Sequence, residues 1–226
     1  MITIIGIIVG ILLLLFFVYA SADIRSGVYV KTVSQLPVKE KILALTFDDG
    51  PHPGTTPLIL DVLKKHQIQA VFFCTGENIE KNKLLAYRII NDGHLIGNHT
   101  NSHAYTFPFF SSKRMKAEID SCWNRIVSVA PPDSPRMFRP PFGVTNPSLR
   151  KALKDSGYMV IGWNIRSLDT IIKNPEIVIR SVSKKIKPGS ILLFHDTQCN
   201  TPEIIERIIN FALNKGYIFV RIDECM

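Results

Sequence analysis

The chain has 226 residues, 46% of them hydrophobic, and carries 27 Lys and Arg against 19 Asp and Glu, a formal net charge of +8. That length suits one domain, large enough for an α/β barrel. No basic stretch interleaves with aromatic residues, which argues against nucleic acid as a partner; the excess charge fits a solvated basic surface near an anionic membrane, or affinity for an anionic glycan or a lipid-linked phosphate.

The first twenty residues hold no charged side chain, and Ile2 to Ala20 is an almost unbroken run of Ile, Leu, Val and Phe. That is about the length that spans a bilayer. A signal peptide normally has a basic start and a shorter apolar core. No Lys or Arg precedes this run, although Ala20-Ser21-Ala22 has the small residues of a cleavage site. Residues 1–22 are therefore expected to form a transmembrane anchor or uncleaved signal segment. Arg25, Lys31, Lys39 and Lys41 follow it, which by the positive-inside rule favours a cytoplasmic domain. Residues 23–40 read as a linker and residues 41–226 as one folded domain.

Beyond residue 40, apolar runs alternate with helical patterns. Strands are expected at 42–47, 70–74, 94–97, 137–139, 158–164, 190–195 and 217–221. Thr56-Pro57, Asn146-Pro147, Asn174-Pro175 and Thr201-Pro202 each put a capping residue before a proline at the first helical position. Gly93, Gly157 and Gly216 fit left-handed C-caps. Ile204, Ile205, Ile208, Ile209 and Ala212 form one helical stripe, and Met115, Ile119, Cys122, Trp123 and Ile126 another. About seven β/α units in one domain imply a parallel sheet. Cys74, Cys122, Cys199 and Cys225 show no CxxC spacing. Cys74 reads as a buried thiol, and Cys199 with Cys225 as a pair only in an oxidising compartment.

The polar residues fall at strand ends, where parallel barrels gather their chemistry. Thr46-Phe47-Asp48-Asp49-Gly50 ends the first strand. Adjacent carboxylates disfavour each other's ionisation unless a cation lies close by. His99-Thr100-Asn101-Ser102-His103 places two imidazoles at i and i+4, a chelating pair if the segment is a helical turn. One Asp and two His leave a coordination position open, as catalytic ions require. Arg139, within Arg139-Pro140-Pro141-Phe142-Gly143, ends the fourth strand, Trp163 the fifth, and His195, within Leu192-Leu193-Phe194-His195-Asp196, the sixth.

These motifs, in this order, resemble the NodB-type polysaccharide deacetylases of carbohydrate esterase family four, over about residues 41–222. The resemblance implies an α/β fold, a distorted (β/α)7 barrel, here preceded by an N-terminal transmembrane helix. It implies a hydrolase that removes N-acetyl groups from amino sugars of a cell-wall or surface polysaccharide such as peptidoglycan. The cofactor would be a divalent metal, Zn2+ or else Co2+ or Mn2+. Asp49, His99 and His103 would hold it. Asp48 would be the general base, aimed by Arg139, and His195 the general acid. The backbone N–H of Phe142 would stabilise the oxyanion, a position where relatives often carry Tyr. Leu193 and Trp163 would flank the acetyl methyl group. Family members act outside the cytoplasm, which opposes the reading of the flanking charges.

One segment departs from the family. Relatives carry two acidic residues in a D-x-x-D pattern after the Trp, and here Arg166 stands first and Asp169 second. Either Asp169 alone orients the catalytic His195, or Arg166 binds an anionic part of the substrate. A lipid-linked amino sugar at the membrane is the alternative substrate, and a catalytically silent sugar-binding relative the alternative function. His52, His66 and His94 read as ordinary histidines and Trp123 as a core anchor. Tyr105, Phe107, Phe109 and Phe110 make a loop with three readings: sugar-stacking wall, membrane-dipping loop or packing.

Overall fold

The computed structural model describes residues 2–226, so Met1 of the expected 1–22 segment lies outside the described residues. The strands are β1 (Ile42–Asp48), β2 (Val71–Cys74), β3 (Leu95–Asn98), β4 (Met137–Phe138), β5 (Met159–Val160), β6 (Ile165–Arg166), β7 (Ser190–His195) and β8 (Ile218–Phe219). They pair in the order β5-β4-β3-β2-β1-β7-β6, all parallel, with β8 added beside the start of β1. Parallel neighbours need long crossovers, and helices supply them. The helices are α1 (Ile2–Ala22), α2 (Thr56–Lys65), α3 (Gly76–Lys81), α4 (Lys83–Asn91), α5 (Ser112–Ile126), α6 (Pro147–Ala152), α7 (Pro175–Lys185) and α8 (Thr201–Asn214). The two ends of the strand path, β5 and β6, are consecutive in the chain. The sheet is thus the expected distorted barrel, left open at one seam.

Side-chain alternation divides the core into two layers. Leu43, Leu45 and Phe47 of β1 face outward with Phe72, Leu192 and Phe194, under the stripe Ile204, Ile205, Ile208 and Ile209 of α8. Burying one such isoleucine contributes about 1.5–3 kcal/mol. Ala44, Val71, Phe73 and Ile191 face the barrel interior. On β1 the inward positions continue to Thr46 and Asp48, and on β7 to Leu193 and His195. Asp48 and His195 are register partners at the carboxyl ends of adjacent strands.

Of the expected strand 158–164 only Met159–Val160 is a strand; the next, β6, starts just beyond that range on the other side of the seam, and Trp163 lies between the two rather than at a strand end. The reason is where the backbone groups go. Arg139, fully buried, donates from Nε to Ile161 O (3.1 Å) and from a terminal nitrogen to Gly162 O (2.9 Å). Asn164 takes Ile191 N–H with its side chain. The Ile161 and Gly162 carbonyls are thus satisfied by a guanidinium instead of a ladder.

Residues 23–40, expected as a linker, lie against this body. Val33 bridges to Ile161, Gln35 bridges to Ser190, and Leu36 is buried. α1 is 21 residues, about 31 Å at 1.5 Å per residue. Ile4–Ala22 is long and apolar enough to cross a membrane. Its last turn is docked: Ala20 is buried, and Thr145 N–H donates to Ser21 O (3.0 Å). All four cysteines are free thiols, with Cys74 and Cys122 buried.

Candidate active site

The barrel's carboxyl end holds a cavity of about 360 Å³ lined by Asp48, Asp49, His99, His103, Leu193 and His195, with Phe142, Trp163 and Arg166 at its rim. Arg139 and Asp169 sit behind this wall, each in contact with a residue that lines it. All the residues expected at the site therefore converge.

Successive strand residues point to opposite faces, yet both Asp48 and Asp49 line the cavity. The backbone resolves this conflict, because Asp49 adopts φ 77° just beyond β1 and turns its carboxylate back inward. The two imidazoles were expected on a helical turn. They lie instead on an irregular loop after β3, with Thr100 at φ 66° and His103 at φ 49°. Phe142 has φ 60° and Leu168, before Asp169, φ 63°. Such left-handed non-glycine residues cost roughly 1–3 kcal/mol each and persist only where surrounding contacts over-determine them. Gly143 lets Trp163 lie against the chain, since a Cβ there would come within 2.5 Å of the indole.

Asp49 Oδ1 lies 3.5 Å from His99 Nε2 and 3.4 Å from His103 Nε2. Zinc held tetrahedrally by ligands at about 2.0–2.2 Å separates its donor atoms by about 3.3–3.6 Å. The donor set therefore fits a small divalent ion. His99 Nδ1 is 2.7 Å from Arg139 O. A carbonyl only accepts, so Nδ1 carries a proton and Nε2 is the nitrogen turned toward Asp49, the orientation of a metal-ligating imidazole. Burial opposes a charge on His99, but the Asp48 and Asp49 carboxylates outweigh it and raise its pKa. Burial likewise opposes ionisation of Asp49, and the hydrogen bond and charge of His99 overcome it, holding Asp49 below the usual carboxylate range.

Asp48 is held from the other side. Arg139 donates to Asp48 Oδ1 at 2.6 Å and to Thr46 Oγ1 at 2.9 Å. Its guanidinium stacks 4.0 Å from the centroid of Phe73. Asp48 Oδ2 stays free toward the cavity, 3.8 Å from His99 Nε2.

His195 Nδ1 lies 2.7 Å from Asp169 Oδ1, and His195 N–H donates to Asp169 Oδ2 at 2.8 Å. Ser167 Oγ donates to Asp169 Oδ1 at 2.8 Å. Burial opposes a charge on His195, but the hydrogen bond and charge of Asp169 raise its pKa; burial also opposes ionisation of Asp169, and His195 lowers it. Asp169 thus orients His195 without a second acid. Arg166 is exposed on β6, beside Leu193, with its guanidinium 5.9 Å from the Trp163 centroid.

Several supporting residues escape sequence reasoning. Thr56 and Thr201 look like helix caps, but Thr56 Oγ1 donates to Asp196 Oδ2 (2.6 Å), while Thr201 Oγ1 lies 3.2 Å from Asp169 Oδ2. Burial pushes Asp196 up to about 7. Asp196 packs directly on Gly50. Tyr105 stacks on Phe142 at 6.0 Å and lines the cavity mouth, while Phe107 and Phe110 of the same loop are core. His94 accepts from Ala70 N–H, and burial lowers its pKa to about 4.

Acid, base and metal-donor groups around one pocket of a parallel barrel are the equipment of a hydrolase. The sequence model for polysaccharide deacetylases matches residues 35–161. The peptidoglycan-N-acetylglucosamine deacetylase of Bacillus cereus is 34% identical over 197 residues, covering 85% of this chain and 91% of that protein. The peptidoglycan-N-acetylmuramic acid deacetylase PdaA of Bacillus subtilis is 32% identical over 194 residues, 83% of this chain and 72% of that protein. The solved structure of PdaA, a family 4 carbohydrate esterase, covers 86% of this chain and 84% of that one at TM-score 0.77 and 31% identity. A family 4 pseudoenzyme from Bacillus anthracis aligns at TM-score 0.80 and 26% identity, over 86% of this chain and 68% of that one. The chain belongs to the polysaccharide deacetylase family.

Proposed function

We propose that the protein is a metal-dependent deacetylase that removes N-acetyl groups from amino sugars of a peptidoglycan-type glycan, working at a membrane through α1. The observation that carries this is the placement of Asp48 between Arg139 and the Asp49–His99–His103 donor set, opposite His195 held by Asp169. The pseudoenzyme's high fold similarity means that residues, not fold, decide activity. Here Asp48, Asp49, His99, His103, Arg139 and His195 are all present, which weighs against a silent sugar binder.

Asp49, His99 and His103 would hold the ion, with zinc the first candidate. When bound, a divalent ion polarises the acetyl carbonyl and lowers the pKa of water to about 7. Asp48 Oδ2 accepts a proton from the attacking water, with Arg139 fixing its direction. His195 Nε2 gives a proton to the departing amine nitrogen, since its Nδ1 proton is engaged by Asp169. The Phe142 N–H would face the oxyanion, where one donor contributes about 3–4 kcal/mol. The amide C–N bond breaks, the water oxygen joins the acyl carbon, and acetate and a free amine leave.

A lipid-linked amino sugar is the second reading, favoured by the docking of α1 beside the pocket. A peptidoglycan substrate places the domain outside the cytoplasm, against the flanking charges, and a topology reporter decides between the faces. The central test is acetate release by the full chain in detergent, stripped of metal and then given zinc. Metal-restored release from N-acetylglucosamine oligomers or peptidoglycan fragments is expected. Tight metal binding with no release from any amino sugar would refute the enzyme assignment.

A further inference from the structure

A second cavity, of about 620 Å³, adjoins the first. Both are walled by Phe142, Trp163 and Arg166. A single extended ligand can therefore occupy the two, crossing the Trp163 side chain. The far wall of the second cavity is the last turn of α1, through Tyr19 and Ala22, and the segment just after it.

Its charge is one-sided. Arg25, Arg166 and Lys185 line it, with Asp23 the one acidic side chain. Asp23 is already engaged, since its carboxylate takes two bonds from the Arg25 guanidinium, at 2.9 and 2.7 Å. Among the described residues, neither Arg166 nor Lys185 has a carboxylate partner. Two uncompensated cations in one concavity focus a positive potential. The apolar side chains of α1 are exposed as far as Val18, and Tyr19 with the cations follows at once. That sequence of apolar span, aromatic residue and basic groups is what sits at a membrane's headgroup level.

Resting on the deacetylase reading above, we infer that this second cavity binds an anionic group of the substrate. The group lies at the membrane surface while the N-acylated sugar occupies the catalytic cavity. The chemistry is that of a phosphate or carboxylate attached within about one sugar of the reacting amide. A phosphate linking an amino sugar to lipid would supply it, and so would the carboxylate of a muramic-type sugar.

The test uses the full chain in detergent and three substrates: neutral N-acetylglucosamine oligomers, peptidoglycan fragments bearing lactyl carboxylates, and polyprenyl-diphosphate-linked N-acetylglucosamine. Lys185 is exposed at the end of α7, so Lys185→Glu leaves the fold and the reacting groups in place. Expected is a loss of roughly tenfold in kcat/KM on one or both anionic substrates, with neutral oligomers within about twofold. Loss on the lipid-linked arm alone identifies the phosphate, and loss on the fragment arm alone the carboxylate. Equal change on all three substrates, or none on either anionic one, overturns the inference. If the parent protein releases no acetate at all, the deacetylase reading fails separately, and calorimetric titration with pyrophosphate then judges the cavity. Binding to the parent, weakened at least about fivefold by Lys185→Glu and less by Lys185→Gln, supports it, and equal or absent binding overturns it.

Discussion

Replacing Asp48 by Asn removes one charge from the pocket and leaves its shape almost unchanged. Among the described residues, Asp48 is the only carboxylate in contact with the Arg139 guanidinium, at 2.6 Å, with the two side chains 5% and 0% exposed. Breaking a buried pair by removing one partner costs about 3–5 kcal/mol, because a charge is left uncompensated. The loss here should fall at the low end. Asn keeps an oxygen to accept the Arg139 bond, and Thr46 Oγ1, Ile161 O and Gly162 O remain as further acceptors. About 3 kcal/mol in a chain of this size lowers Tm by roughly 6–12 °C. Turnover should vanish, since the amide side chain cannot take the water's proton, while metal stays bound through Asp49, His99 and His103. Calorimetry, acetate release and metal content, measured on one preparation, read the three consequences separately. Unchanged Tm would sink the argument for a charge-dependent Arg139 strut, and near-normal turnover would sink Asp48 as the base.

Burial lowers the His195 pKa, and Asp169→Asn removes the strongest of the groups that raise it, leaving only the more distant charges of Asp48 and Asp49 against that burial. The acid works only when His195 is protonated, so the alkaline limb of kcat against pH moves to lower pH. An unmoved limb would mean another group protonates the leaving amine. Gly50→Ala brings a Cβ to 1.9 Å from Asp196 Oδ2, inside a fully buried cluster with Thr56. Overpacking of this kind costs about 1–3 kcal/mol, and denaturant unfolding should show that loss together with reduced turnover. Wild-type stability in this variant would mean that Asp196 can move aside freely.

The core and the chemical groups were legible because local patterns report them. Strand alternation in β1 and β7, the α8 stripe, the left-handed glycines at 93, 157 and 216 and the N-caps at Asn146 and Asn174 each depend on near neighbours only. The early end of the expected strand 158–164, at Val160, was not legible. Its residues read as one apolar strand, and what claims the first carbonyl beyond Val160 is a guanidinium 22 residues away in sequence. Thr56 and Thr201 were misread for the same reason: a Thr before Pro signals a cap locally, and the carboxylates that claim their hydroxyls lie 140 and 32 residues distant.

Residue types and spacing alone determined that acid, base and metal-donor groups are present and that they fall at strand ends of a parallel fold. Which groups meet was decided by tertiary structure. Sequence alternation sends Asp48 and Asp49 to opposite faces, and only the left-handed backbone at Asp49 turns both into one cavity. The two imidazoles meet from a bent loop, not from a helix. The second, cationic cavity exists only because the end of α1 docks against the barrel. Arg25, Arg166 and Lys185 are far apart along the chain, and no local rule brings them to one wall.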